Sequence, residues 1–196
     1  MITIAVSKGR IEANFYKILL EKNISKNLIN PKRNLKINIE NKYEILIVKP
    51  TDVIKLVSKE YANIGIVGSD TIEEINNKNI VELLDLNTGK CTFTLASIPN
   101  TKIENIKSIA TKYPNITKKL IETLGLNANI IKMEGSLEIA PIINYADAIV
   151  DLVETGNTLK ANGLVILKKL KDISTKVITN KENNNEINEF IKRLER

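Results

Sequence analysis

The chain has 196 residues, 43% of them hydrophobic and 27% charged, with a formal net charge of +6, which provides for a packed soluble core. It contains no histidine and a single cysteine, Cys91, which excludes Ser-His, Cys-His and histidine-based metal chemistry and any intrachain disulfide. The basic balance suits a polyanion, but no long Lys/Arg block and no interleaved aromatics support a nucleic-acid surface.

The segment "ITIAV" (2–6) is a buried strand stopped by Ser7-Lys8-Gly9, and residues 11–22 carry apolar positions at helical spacing. Residues 23–42 are polar, with a weak alternation at "LKINI". A strand follows at 43–48, then Pro50 and the N-cap pair Thr51-Asp52 before the helix "VIKLVSKEY". "NIGIVG" (63–68) is a strand ending on glycine, and Asp70 is expected to cap a helix over 71–77. Strands are expected at 80–86 and 91–97.

After the composition break at "NTGK" (87–90) the pattern restarts. It runs through a strand at 106–111, a helix at 115–125 closed by Gly125, a strand at 128–133 and a helix at 136–145. A strand at 147–153, a short helix at 157–162, two further strands ("LVILKKL", "STKVIT") and a terminal helix complete the chain. Strands that are continuous apolar runs, alternating with helices, indicate mostly parallel sheets covered on both faces. Two such α/β lobes would bind a ligand in the cleft facing their strand ends. No signal-peptide pattern opens the chain and no apolar run is long enough to cross a bilayer, so a cytoplasmic protein is expected.

The chemistry-bearing residues fall at the strand-to-helix junctions. In "AIVDLVETGNTL" (148–159), Asp151 ends an apolar strand and could accept two hydrogen bonds from a vicinal diol such as ribose. Glu154, Thr155, Gly156, Asn157 and Thr158 lead into a helix N-terminus, where amides and hydroxyls can cradle a phosphate. The same residues also read as an ordinary helix start capped by Thr155 or Asn157. Lys8 and Arg10 in "SKGR", and Lys49 in "VKPTD", place cations at two further junctions, suited to a polyanion or to a solvated turn. Gly68 and Asp70 in "GIVGSD", and Gly135, Ser136 and Glu138 in "MEGSLE", are expected to line the cleft. Ser136 also reads as a plain cap.

Together "SKGR" (7–10), "KPTDV" (49–53), "NIGIVGSD" (63–70), "ELLDLNTGKC" (82–91), "ATKYPN" (110–115) and "GSLEIAPIINYADAIVDLVETGNTLKANGLV" (135–165) make the chain resemble the short form of the ATP phosphoribosyltransferases. That resemblance implies a two-lobed fold like the type II periplasmic binding proteins. Lobe I would comprise 1–88 plus 173–196, and lobe II, binding phosphoribosyl pyrophosphate (PRPP), 89–172. It implies transfer of the phosphoribosyl group of PRPP to N1 of ATP, the first step of histidine biosynthesis, with Mg²⁺ held mainly through substrate phosphates. Asp151 would hold the ribose hydroxyls and Glu154 to Thr158 the 5′-phosphate, while Lys8, Arg10, Arg33 and Lys49 would serve ATP or the leaving pyrophosphate. The long form's C-terminal regulatory domain is not expected. A homodimer assembling with a regulatory subunit related to histidyl-tRNA synthetase is expected instead.

Three positions depart from the family pattern: Lys49 stands where Arg is common, Ser69 where Lys is, and Glu134 where Asn or Ser is. Two other classes suit the residues. One is a non-catalytic ligand-binding module of the same fold; the other is a phosphoribosyltransferase for another base.

Overall fold

The computed structural model describes residues 1–26, 34–180 and 185–195. Arg33 lies outside the described residues. The chain divides into two compact units, Met1–Gly89 with Ser174–Arg196, and Lys90–Ile173.

The first unit opens with β1 (Ile2–Ser7), α1 (Arg10–Glu21), β2 (Lys36–Ile39), β3 (Tyr43–Val48), α2 (Pro50–Ser58), β4 (Ile64–Gly68), α3 (Ser69–Ile75) and β5 (Ile80–Asp85). The second unit holds β6 (Cys91–Ser97), a 3-10 turn at Ile103–Asn105, β7 (Ser108–Thr111), α4 (Pro114–Thr123), β8 (Asn129–Lys132), α5 (Ile139–Ile142), β9 (Ala148–Val153), α6 (Asn157–Ala161) and β10 (Val165–Ile173). The chain then returns to the first unit with β11 (Thr175–Asn180) and α7 (Asn185–Glu195).

The first sheet runs β2-β3-β1-β4-β11-β5 and the second β10-β6-β9-β7-β8. In the first, β1 lies parallel to β3 and β4, while β2, β11 and β5 join antiparallel. In the second, β7 is parallel to β8 and β9, and β6 is antiparallel to both β9 and β10. The sheets are therefore mixed rather than mostly parallel. The apolar runs report burial on both faces, and burial does not encode strand direction: β6 and β11 are mostly buried, as β4 is, yet join their sheets antiparallel.

In the first unit, α1 and α7 cover one face of the sheet through Phe15, Leu19, Ile187, Phe190 and Leu194, packed on Ile4, Ile45 and Ile66. Ile187, Phe190 and Leu194 recur at helical spacing, and the Phe190 ring meets Tyr43 at 5.1 Å. On the other face, Val53, Ile54 and Val57 of α2 pack on Ala5, Val67 and Ile178. In the second unit, Phe93, Leu95, Ala148 and Val150 form one core with α4, and Ala96, Ile149, Leu159 and Leu164 form another with α5 and α6.

Several helix starts differ from expectation. Pro50 is the first residue of α2 and Lys49 its cap, so Thr51 and Asp52 lie in the first turn. Gly68 caps α3 and Asp70 lies inside it. The helix expected over 136–145 shrinks to Ile139–Ile142, because Ser136 adopts φ 50° and Glu138 takes the cap position. Among the described residues, no helix is long and apolar enough to cross a membrane.

Candidate active site

Parallel strands end on the same side of a sheet, so the loops after β1, β3 and β4 gather along one edge of the first unit. Ser7 pairs with Val48, and the Lys8 N–H donates to Val48 O at 2.8 Å. Lys8 and Lys49 therefore leave adjacent strands side by side, and both are exposed. Between Lys8 and Arg10 stands Gly9 at φ 103°, ψ −131°, a conformation other residues adopt only with strain. Its N–H donates to the Glu12 carboxylate at 3.2 Å. Arg10 opens α1 and donates from Nη2 to Gly89 O at 3.4 Å. Cations at the positive ends of α1 and α2 oppose the helix dipoles unless an anion lies between them, and this edge accordingly favours a polyanion.

At Gly68, expected to line the cleft, a Cβ would collide with Asp70 Oδ1, so the missing side chain leaves room for that carboxylate. Asp70 Oδ2 accepts from Thr71 Oγ1 at 3.4 Å. Ser69, standing where a family lysine is common, binds the start of β11. Its N–H donates to Ser174 O at 2.9 Å, and its Oγ accepts from the Ser174 N–H at 3.3 Å.

In the second unit the parallel trio β7, β8 and β9 likewise directs Lys112, the 133–138 loop and the 151–158 segment to one edge. Asp151 is not the last residue of its strand. It pairs with Thr94 of β6, and β9 continues to Val153. Asp151 Oδ1 accepts from the Leu152 N–H at 2.8 Å. Burial pushes the Asp151 carboxyl above its ordinary range, and the nearby Glu138 charge adds to the rise. The Leu152 N–H and the Lys112 ammonium oppose it. Glu138 is half-buried, whereas Gly135 and Ser136 are exposed. Glu134 is exposed too and pairs with Lys132 at 3.4 Å.

The loop after Asp151 is held at both ends by one apolar cluster, through Val153 before it and Leu159 after it. Burying Leu159, 4% exposed, contributes about 2 kcal/mol to that anchorage. Between these anchors Glu154, Thr155, Asn157 and Thr158 are exposed, while Gly156 is buried at φ 78° and caps α6. Neither Thr155 nor Asn157 is the cap. The first helical bond runs from Lys160 N–H to Gly156 O, so the amides of 156 to 159 have no partner within the helix. Thr155 Oγ1 accepts only a long bond, 3.4 Å, from the Asn157 N–H. Donors and hydroxyls facing outward beside a half-buried carboxylate can take a phosphate and a neighbouring diol.

Two residues here escaped the sequence reading. Lys112 follows β7 at a junction like that of Lys8 after β1, and the "ATKYP" stretch carried that signal. Thr94 is 1% exposed, and only the strand register shows that it faces Asp151.

The family model described as HisG: ATP phosphoribosyltransferase matches residues 49–196. An ATP phosphoribosyltransferase of Clostridium botulinum (strain Okra / Type B1) is 46% identical over 187 residues, covering 92% of this chain and 88% of that one. One from Lactococcus lactis subsp. cremoris is 42% identical over 203 residues, covering 100% and 98%. Among solved structures, the ATP phosphoribosyl transferase (HisG:HisZ) complex from Thermotoga maritima superposes with a TM-score of 0.82 at 30% identity, covering 100% of this chain and 97% of that one. The substrate binding protein of an amino acid ABC transporter superposes with a TM-score of 0.63 at 12% identity, covering 99% and 91%, which shows a shared fold alone. The match over residues 49–196 and the near-full-length relatives establish that this chain belongs to the ATP phosphoribosyltransferase family.

Proposed function

We propose that this chain, acting in the cytoplasm, transfers the phosphoribosyl group of PRPP to N1 of ATP and releases pyrophosphate, the first step of histidine biosynthesis. The observation that carries this reading is the second unit's edge: a half-buried carboxylate, Asp151, beside the outward-facing loop 154–158. Asp151 accepts the ribose hydroxyls. The amides of Gly156 to Thr158 and the hydroxyls of Thr155 and Thr158 hold the 5′-phosphate, and Glu154 and Asn157 flank it. Lys112 and Glu138 set the field around Asp151.

In the reaction the bond from ribose C1 to pyrophosphate breaks and a bond from C1 to adenine N1 forms. Positive charge develops on the ribose and negative charge on the departing pyrophosphate. Lys8, Arg10 and Lys49 suit that negative charge and the triphosphate of ATP. The ring nitrogen attacks with its own lone pair, so no strong base is needed, which agrees with a chain lacking histidine. Orientation of the two substrates supplies much of the rate.

The reaction takes a divalent metal, assigned here as Mg²⁺. Among the described residues no group of three or more His, Cys, Asp or Glu side chains could hold one. The cation would come mainly on the substrate phosphates. The Thermotoga maritima relative is a HisG:HisZ complex, and we extend that arrangement to this chain as a homodimer joined by a regulatory subunit related to histidyl-tRNA synthetase.

Pyrophosphate release from PRPP, ATP and Mg²⁺, with and without that subunit, tests the reading. Turnover requiring ATP is expected. No turnover with ATP in either case, or turnover only with another base such as guanine or orotate, would overturn it.

A further inference from the structure

Hydroxyls in the second sheet are generally satisfied. Thr111 Oγ1 donates to Val150 O at 2.8 Å and accepts from Thr117 Oγ1 at 3.0 Å. Ser97 Oγ donates to Asp147 O. Thr94 is the exception in β6: it is 1% exposed, and its hydroxyl is buried with no hydrogen-bond partner among the described residues. The hydrophobic residues on its face, Ala96, Ile149 and Val153, offer only apolar contacts, and its register partners are Asp151 of β9 and the exposed Lys169 of β10. A valine would fill the same space without the cost of desolvating a hydroxyl. Packing therefore does not account for a threonine at this position.

The register supplies a reason. Thr94 stands directly opposite Asp151 in the antiparallel pair of β6 and β9. Side chains so placed share a face, with Cβ atoms about 5 Å apart. Asp151 has one oxygen occupied by the Leu152 amide, whereas a vicinal diol engages both carboxylate oxygens. With about four lone-pair sites the carboxylate can keep that amide, accept both diol hydroxyls and still take one further donor from the sheet behind it, which would fix its orientation.

We infer that Thr94 is a positioning residue for Asp151, its hydroxyl donating to the carboxylate when the diol of a phosphorylated ribose is bound. The inference rests on the assignment of PRPP to this edge. It gives the buried hydroxyl of Thr94 a partner in the PRPP complex. The residue touches no substrate itself, since its oxygen is closed off from solvent.

The test uses full-length Thr94→Val, Thr94→Ser and Asp151→Asn, with PRPP affinity by calorimetry, KM for PRPP and for ATP, and Tm. Thr94→Val is expected to weaken PRPP about tenfold, the loss of one hydrogen bond to a charged group, while KM for ATP stays unchanged and Tm is equal or higher. Thr94→Ser restores PRPP affinity because it restores the donor. Thr94→Val binding PRPP like the wild type while Asp151→Asn does not would overturn the positioning role and leave the PRPP assignment standing. Thr94→Val lowering Tm and raising both KM values together would also overturn it, as that is what a packing role predicts. Asp151→Asn binding PRPP normally would overturn the assignment itself and the inference with it.

Discussion

Two carboxylates flank the first half of β9 and have opposite circumstances. Asp147, just before the strand, is saturated. Its Oδ2 accepts from the Lys107 N–H at 2.8 Å, the Ser108 N–H at 2.8 Å and Ser108 Oγ at 2.9 Å. These donors, the Lys107 amide foremost, hold its carboxyl below the usual range although partial burial opposes them. Asp151, within the strand, has one local amide, an unpartnered hydroxyl opposite and an acidic neighbour, and its carboxyl lies above the usual range. A carboxylate whose lone pairs are filled by the protein has little left for a ligand. One that is half-buried and underused adds to binding, at the expense of folding. We therefore propose Asp147 as part of the frame and Asp151 as part of the site.

Exchanging the two charges for amides separates these roles. Asp151→Asn should lose about a hundredfold in kcat/KM for PRPP, because two hydrogen bonds to a charged acceptor weaken together. The same variant should raise Tm at neutral pH. A folded carboxyl pKa above the unfolded value of 3.8 contributes stability that is present below that value and lost as pH rises through the folded one, so the ionised form costs stability at neutral pH. A lower Tm by differential scanning calorimetry would show that Asp151 is structural after all.

Asp147→Ala should do the reverse, losing about 1–2 kcal/mol of stability, a figure discounted for its exposure, with KM for PRPP unchanged. Its folded pKa is depressed below 3.8, so its contribution is present above that value and fades as pH falls through the folded one. Urea titrations at neutral and acid pH, compared with the wild type, measure both statements. Equal loss at both pH values would break the contrast.

Smaller effects sharpen it. Gly156→Ala forces an L side chain into φ 78° and should cost about 1 kcal/mol of stability. That variant tests the loop's conformation, since an added Cβ meets only Val153 and Ile166 at 3.8 and 3.9 Å. Thr158→Val keeps the backbone and removes one exposed hydroxyl. It should weaken PRPP about fivefold by calorimetry and leave Tm within a degree, because one charge-assisted bond is removed from a surface position.

Much of this was legible in the sequence. The strand at 43–48 matches β3, and the one expected at 147–153 is β9 but for its first residue; both are legible as apolar runs broken by small and charged residues, as are the loop that follows Asp151 and the cationic junctions at Lys8 and Lys49. Strand direction was not legible, because buried runs look alike either way along the chain. The caps also misled. Thr51-Asp52 and Asp70 have the right chemistry, but Pro50 and Gly68 move the helix starts forward and place those side chains in the first turn. Thr94 was invisible because its meaning lies in a cross-strand partner 57 positions further along the chain, and no local pattern records a register.

The most direct test of the account is calorimetric titration of PRPP, and separately of ATP, into the wild type and Asp151→Asn at neutral pH. PRPP affinity should fall about a hundredfold in the variant while ATP affinity is unchanged. Equal PRPP affinity in the two proteins would contradict the assignment of Asp151 as the acceptor of the ribose hydroxyls.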